Sequence, residues 1–177
     1  MERQPCVKPS TNAVGVVRLP SNGYAVLLPV LTDLVVCYRI SSKGYVKAKP
    51  AYATKQACLA NFLKEAQRFA AAYPQVRVRI LLLQDACLPP LLKQCAEAVA
   101  GSSVAVAARE VNTGSGAASF NVGLDWALED EGAKLRPATT AVYMLEDDYI
   151  HVPRGLEIVL EGLQIAPYAT GYDAPDK

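Results

Sequence analysis

The stretch from Ala141 to Pro153 reads Ala-Val-Tyr-Met-Leu-Glu-Asp-Asp-Tyr-Ile-His-Val-Pro, five mostly apolar residues running straight into three carboxylates. A short apolar run bounded by polar residues fits a strand buried in a parallel sheet. Glu146, Asp147 and Asp148 then fall at the strand's C-terminal end, the edge at which open α/β sheets bind ligands. Adjacent carboxylates repel, so the triplet needs cations or hydrogen-bond donors. A hard divalent ion with oxygen ligands, Mg²⁺ or Mn²⁺, is the natural counter-charge; a solvated acidic turn is the plainer reading. Pro153 suits the first turn of a helix, and Leu156, Val159, Leu160 and Leu163 repeat at helical spacing across an expected helix from Arg154 to Gln164.

The same alternation runs through the chain upstream. Leu34 to Ile40 is a strand that ends in the loop Ser41-Ser42-Lys43-Gly44. Lys55 to Tyr73 is an amphipathic helix with Cys58, Leu59, Phe62, Leu63, Ala66, Phe69, Ala70 and Tyr73 on one stripe, Thr54 as N-cap and Pro74 as terminator. Val76 to Leu83 is a second strand, with Arg77 and Arg79 alternating outward at its start. Pro89-Pro90 opens a helix whose expected buried face is Leu88, Leu91, Leu92, Cys95 and Val99, with Gly101 as its stop. Val104 to Val111 is a third strand. The next helix has Phe120, Leu124, Ala127 and Leu128 on one face, Asn121 and Asp125 on another, and Trp126 as a packing residue. Tyr168 to Tyr172 reads as a further strand. Strands alternating with helices predict a three-layer α/β/α fold around a mostly parallel sheet.

A length of 177 residues suffices for one core, placed over residues 34–177. Residues 1–33 read as an N-terminal extension. A hairpin is expected there around Ser21-Asn22-Gly23, between Val14–Leu19 and Tyr24–Leu31. A net charge of +1 gives no electrostatic case for nucleic acid or anionic membrane. Five cysteines without a CxxC argue against zinc. With Cys58 and Cys95 on apolar helix faces and Cys37 and Cys87 near strand ends, they suit reduced thiols of an intracellular protein. The longest apolar run, Tyr24 to Cys37, is broken by Pro29, Thr32 and Asp33 and is too short to span a bilayer. No signal-peptide layout opens the chain. The expected location is the cytoplasm or the cytoplasmic face of a membrane.

Several polar residues share the expected ligand edge. Arg39, Lys43, Lys47 and Lys49 cluster after the first strand, as an anion site or a solvated basic loop. Asp85 lies in Gln84-Asp85-Ala86-Cys87, where the second strand terminates, either as an acceptor for a base N–H or ribose hydroxyl, or as a turn or cap residue. Asn112-Thr113-Gly114-Ser115-Gly116-Ala117-Ala118-Ser119 is a small-residue loop entering a helix, where backbone N–H groups can approach a phosphate. It lacks the Gly-Lys-Ser/Thr of a P-loop, and no GxGxxG follows the first strand. His151, the only histidine, is three residues past Asp148; it is a manganese ligand or, more simply, a polar residue at a helix entrance.

Taken together, Tyr38-Arg39-Ile40-Ser41-Ser42-Lys43-Gly44, Lys47-Ala48-Lys49-Pro50, the Asn112 to Asn121 segment, Leu145 to His151 and Tyr172-Asp173-Ala174-Pro175-Asp176-Lys177 resemble, in order and spacing, the nucleotide-sugar half of GT-A fold glycosyltransferases near family 2. The resemblance covers Leu34 to Lys177. It implies a Rossmann-like GT-A fold and transfer of a sugar from a nucleoside diphosphate donor, commonly UDP, to a glycan, lipid or protein acceptor. Glu146-Asp147-Asp148 would be the DxD-like motif, with Asp148 and Glu146 at a Mn²⁺ or Mg²⁺ ion and Asp147 near the ribose or the metal. Tyr38 and Arg39 would border the nucleotide, Asp85 would face its base, and Asn112, Gly114, Ser115 and Ser119 would lie along the donor. Phe120-Asn121 stands where many family members carry Arg-Asn, so Arg39 or a lysine among Lys43, Lys47 and Lys49 would have to contact the diphosphate. Family members continue past the acidic strand into an acceptor-binding half that carries the base. This implies a second chain, a missing C-terminal half or a minimal enzyme, with Asp173 and Asp176 as the late carboxylates in hand. The alternatives are a nucleotide-sugar-binding module or pseudoenzyme, and a nucleotidyltransferase of similar fold. A metal-dependent phosphatase is disfavoured because the first strand lacks its aspartates.

Overall fold

The computed structural model describes residues 16–19, 23–26, 31–43, 50–130 and 139–163. Near the start, strands β1 (Val16–Leu19) and β2 (Gly23–Val26) pair antiparallel. The remaining elements are β3 (Asp33–Ser41), α1 (Lys55–Ala72), β4 (Arg77–Asp85), α2 (Pro89–Ala100), β5 (Ala105–Val111), α3 (Gly116–Asp125), a π-helical turn (Trp126–Asp130), β6 (Thr140–Glu146) and α4 (Gly155–Gly162). The expected strand Tyr168 to Tyr172 lies outside the described residues, as do Lys47, Lys49, Asp173 and Asp176.

The sheet of β3 to β6 is all-parallel, in the order β5-β4-β3-β6. The chain steps outward from β3 to β4 to β5, then crosses back to lay β6 on the other side of β3. That reversal is a topological switch point, the place where open parallel sheets leave a crevice beyond their C-terminal ends. The layout is α/β and consistent with a Rossmann-like arrangement. β3 suits the centre of the sheet because six of its nine residues, Leu34, Val35, Val36, Cys37, Tyr38 and Ile40, are apolar and buried.

The two faces of β3 feed two cores. Leu34, Val36, Tyr38 and Ile40 join Val78, Ile80 and Leu82 beneath α1, α2 and α4, where Leu59, Phe62, Leu63, Ala66, Phe69, Cys95, Leu156 and Leu160 complete the packing. Cys37, Leu81 and Leu83 form a smaller cluster on the other face, with Val122 and Trp126. Thr54 caps α1 as expected, its hydroxyl accepting from the Ala57 N–H at 3.1 Å.

The structure corrects several details of the pattern reading. The face of α3 that meets the sheet is Ser119 and Gly123; of the expected face only Ala127, in the π-helical turn, is fully buried, while Leu124 is half-buried and Phe120 and Leu128 are exposed. The reason is steric. A methyl group at Gly123 would overlap the Cys37 sulfur and come within 3.2 Å of Met144 Cε, so only glycine lets the helix approach this closely. Cys37 accordingly lies mid-strand rather than at a strand end. Leu88 is the exposed N-cap of α2, fixed by its backbone N–H donating to Ser42 Oγ at 2.7 Å rather than by packing. Arg79 does not point outward into water. Both Arg77 (Nε, 2.7 Å) and Arg79 (NH2, 3.3 Å) bind the buried Asp33 carboxylate at the start of β3. Helix α4 starts at Gly155, behind a left-handed Arg154 (φ 65°), not at Arg154.

Gly123→Ala should therefore destabilise the fold. Overpacking costs about 1–3 kcal/mol, against roughly 1 kcal/mol gained in helix propensity; a sulfur anchored on a buried strand cannot swing aside, so the overlap dominates. The measurement is urea unfolding. Adding Cys37→Ala to the variant should recover most of the loss, because the two changes share one contact.

Candidate functional site

At the C-terminal edge of the sheet, the side chains that end β3, β4 and β6 converge on Arg39. Its Nε donates to Ser119 Oγ at 2.5 Å, NH2 to Asp85 Oδ2 at 3.1 Å, and NH1 to Glu146 Oε1 at 3.2 Å. The pairing register explains the meeting: Arg39 lies directly opposite Glu146 across the β3–β6 pair, and Asp85 ends the strand on the other side, opposite Ser41.

Asp85 is buried and fully engaged. Besides Arg39 it accepts from the Thr113 backbone N–H (3.1 Å), the Thr113 hydroxyl (3.3 Å) and the Ser119 hydroxyl (2.9 Å). Burial alone would raise its pKa. The Thr113 N–H, the Ser119 hydroxyl and the Arg39 guanidinium outweigh burial and hold the carboxyl below the ordinary aspartate value. Asp85 thus ties β4, the loop after β5 and the first turn of α3 to one guanidinium. Ser115 caps α3, its hydroxyl accepting from the Ala118 N–H at 3.1 Å. Gly114 takes φ 79°, with open space where a side chain would stand; Asn112 and Ser115 are exposed beside it.

The acidic triplet divides by exposure. Asp147 is buried, and its Oδ2 accepts from the Ser41 backbone N–H at 3.0 Å and forms an ion pair with Lys55. Lys55 is the first residue of α1, where the helix dipole disfavours a cation; Asp147 offsets that cost and pins the acidic turn to the helix start. Glu146, its side chain 56% exposed, faces Arg39, and Asp148 is exposed. Glu146 and Asp147 thus each face a cation of the protein's own. Among the described residues no group of three or more His, Cys, Asp or Glu side chains is placed to hold a metal ion by itself.

Tyr38 is not at the edge. It is fully buried under α1 with its ring 5.2 Å from Phe62, and its hydroxyl has no hydrogen-bond partner among the described residues. His151 is likewise a strut rather than an open ligand. Nε2 shares a hydrogen bond with Tyr143 Oη (3.1 Å), the ring packs on Phe62, and the backbone N–H donates to Asn61 Oδ1 at 2.6 Å. Burial lowers its pKa, favouring the neutral ring.

No family model, curated protein or solved structure matches the chain. The geometry therefore carries the functional reading. It gathers Arg39, Asp85, Ser119, Glu146 and Asp147 at one edge, with Asn112, Gly114 and Ser115 on the adjoining loop and Asp148 just beyond the strand. It sets Tyr38 apart, and Lys49 lies outside the described residues. The pattern reading overlooked Lys55 and Thr113. Lys55 had a signal: it follows the Thr54 cap, and the helix after a parallel strand begins at the strand's C-terminal edge. Thr113 had none of its own, because the shorter of its two bonds to Asp85 comes from the backbone N–H.

The depressed Asp85 pKa has a definite sign. Its contribution to stability is fully present above the unfolded aspartate pKa, about 3.9, and is lost as pH falls through the lower folded value. Asp85→Asn should flatten the acid limb of a stability–pH curve measured by urea unfolding from pH 7 to 2. Asp33 and Glu65, also held below their ordinary values, leave a residual slope.

Proposed function

We propose that this chain binds a nucleoside diphosphate sugar, UDP-linked, in the crevice beyond β3 and β6, together with Mn²⁺ or Mg²⁺, and transfers the sugar to a glycan, lipid or protein acceptor on a GT-A-like scaffold. One observation carries the reading: the switch point between β3 and β6 has a guanidinium on one strand end and the acidic triplet on the other, in the order in which the glycosyltransferase-like motifs occur along the chain.

The donor set suits the ion. Mg²⁺ and Mn²⁺ sites in phosphoryl chemistry take one or two carboxylates and complete their shell with water and substrate phosphates, so a three-carboxylate cage is not required. Glu146 and Asp148, the exposed members of the triplet, fit as those two ligands, and Asp147 holds their turn against Lys55 and Ser41. Bound there, the metal would neutralise charge on the departing diphosphate. Arg39 adds a fixed guanidinium aimed at the same charge, pre-organised by Asp85 and Ser119. The open surface over Gly114 and the exposed Asn112 and Ser115 border the donor. Asp85 acts on the nucleotide through Arg39 and Thr113, since its own oxygens are engaged. Asp173 and Asp176 remain the candidates for deprotonating the acceptor.

Calorimetric titration of UDP, then GDP and CDP, with and without Mn²⁺ tests the reading. Manganese-dependent binding of UDP is expected, and Asp148→Asn should cost at least about tenfold in affinity, about 1.4 kcal/mol, only when the metal is present. Affinity unchanged by Mn²⁺ or by the substitution would remove Asp148 from the site. Tight binding without transfer or hydrolysis of any UDP-sugar would leave a nucleotide-sugar-binding module.

A further inference from the structure

We propose that Arg39 is the direct ligand of the donor's diphosphate and that Glu146 is its exchangeable partner, an internal anion that occupies the guanidinium until metal or diphosphate draws the two apart. The inference rests on the nucleotide reading above and adds a coupling to it: metal and nucleoside diphosphate bind cooperatively because both act on one ion pair.

The three contacts of Arg39 are unequal. Ser119 and Asp85, which take Nε and NH2, are buried. Each is also held from behind, Ser119 by its backbone N–H donating to the Ser115 carbonyl at 3.1 Å and Asp85 by the Thr113 N–H. These two bonds fix the plane of the guanidinium and leave NH1 aimed at the strand ends. The NH1 partner is of another kind. Glu146 is more than half exposed, terminates β6, and among the described residues has Arg39 as its sole hydrogen-bond partner. An exposed carboxylate on a flexible side chain makes a weak ion pair, whereas phosphate oxygens make strong charge-assisted bonds to a guanidinium already held in place. The buried pair thus positions the cation and the exposed one can be replaced.

Glu146 is also one of the two carboxylates suited to the metal. Glu146, if it turned with Asp148 to hold an ion, would leave Arg39 and free NH1 for the diphosphate. A diphosphate displacing Glu146 from NH1 releases a carboxylate for the ion. Linkage makes the effect reciprocal: each ligand raises the other's affinity by the same factor.

Glu146→Gln separates the two roles. With metal removed by chelation, UDP and inorganic pyrophosphate are titrated into the wild-type chain and into the Glu146→Gln, Asp148→Asn and Glu146→Gln/Arg39→Met variants. Each variant is first checked for a cooperative thermal unfolding transition, expected at lower temperature in the double variant because Arg39→Met leaves the buried Asp85 carboxylate without its guanidinium. The expected result is metal-free binding roughly three- to tenfold tighter in Glu146→Gln than in the wild type. Asp148→Asn, which removes the same charge two residues away, should show a smaller gain, and Arg39→Met in the double variant should abolish it. Mn²⁺ should strengthen pyrophosphate binding to the wild type and barely change it in Glu146→Gln. Manganese-dependent binding by the wild type with no metal-free gain in Glu146→Gln, or an equal gain in Asp148→Asn, would overturn the exchange while leaving the nucleotide reading intact. If neither ligand binds any form of the chain with or without Mn²⁺, both fall.

Discussion

Everything at the ligand edge depends on the position of one strand. β3 comes first in the sheet along the chain but lies in the middle of it, hydrogen-bonded to β4 on one side and β6 on the other and buried on both faces. Such a strand has no solvent face on which to place polar groups, so its chemistry is confined to its ends. At the N-terminal end that chemistry is Asp33 with Arg77 and Arg79; at the C-terminal end it is Arg39 and the Ser41 N–H. Because the chain crosses back after β5, the helices that follow β3 and β5 pack on opposite faces. The crevice beyond the C-terminal ends of β3 and β6 lies between them.

The charges follow a single rule. Among the described residues the buried carboxylates Asp33, Glu65, Asp85, Asp147 and Glu157 each face at least one guanidinium or ammonium. Arg68 shows the rule away from the ligand edge: it holds Glu65 with two nitrogens, each at 2.8 Å, and reaches Glu157, joining α1 to α4. Removing one partner of such a pair would strand a buried charge, which is why these pairs resist piecemeal change. The Arg39–Glu146 contact departs from the rule, since its carboxylate is exposed. That difference separates a structural ion pair from one suited to exchange.

The fold was legible in the sequence where periodicity was strong. The apolar runs of β3, β4 and β6 and the stripe of α1 were visible as such, and their alternation implied the parallel sheet. The seat of α3 was not legible, because it is built from absent side chains. Gly123 and Ser119 let the helix come close, while the larger Phe120 and Leu128, which dominate any hydrophobicity pattern, face solvent. The ligand edge was legible in part. Strand ends predicted that Arg39, Asp85 and the acidic triplet would share an edge, but not that Asp85 and Asp147 would be consumed holding it together. Whether an acceptor is used internally depends on backbone N–H groups such as those of Thr113 and Ser41, which no residue identity announces.

Three of the described cysteines lie where a layer of the molecule would have to open. Cys37 sits between the sheet and α3, and burial pushes its thiol up to about 11, so in the closed molecule it is inert. Cys58 and Cys95 are buried in the opposite layer, on α1 and α2. A thiol reagent can reach each of them only when its own layer lifts. The rate at which each sulfur reacts would thus time the opening of one layer independently of the other, giving the chain a native clock for its local unfolding without an added label.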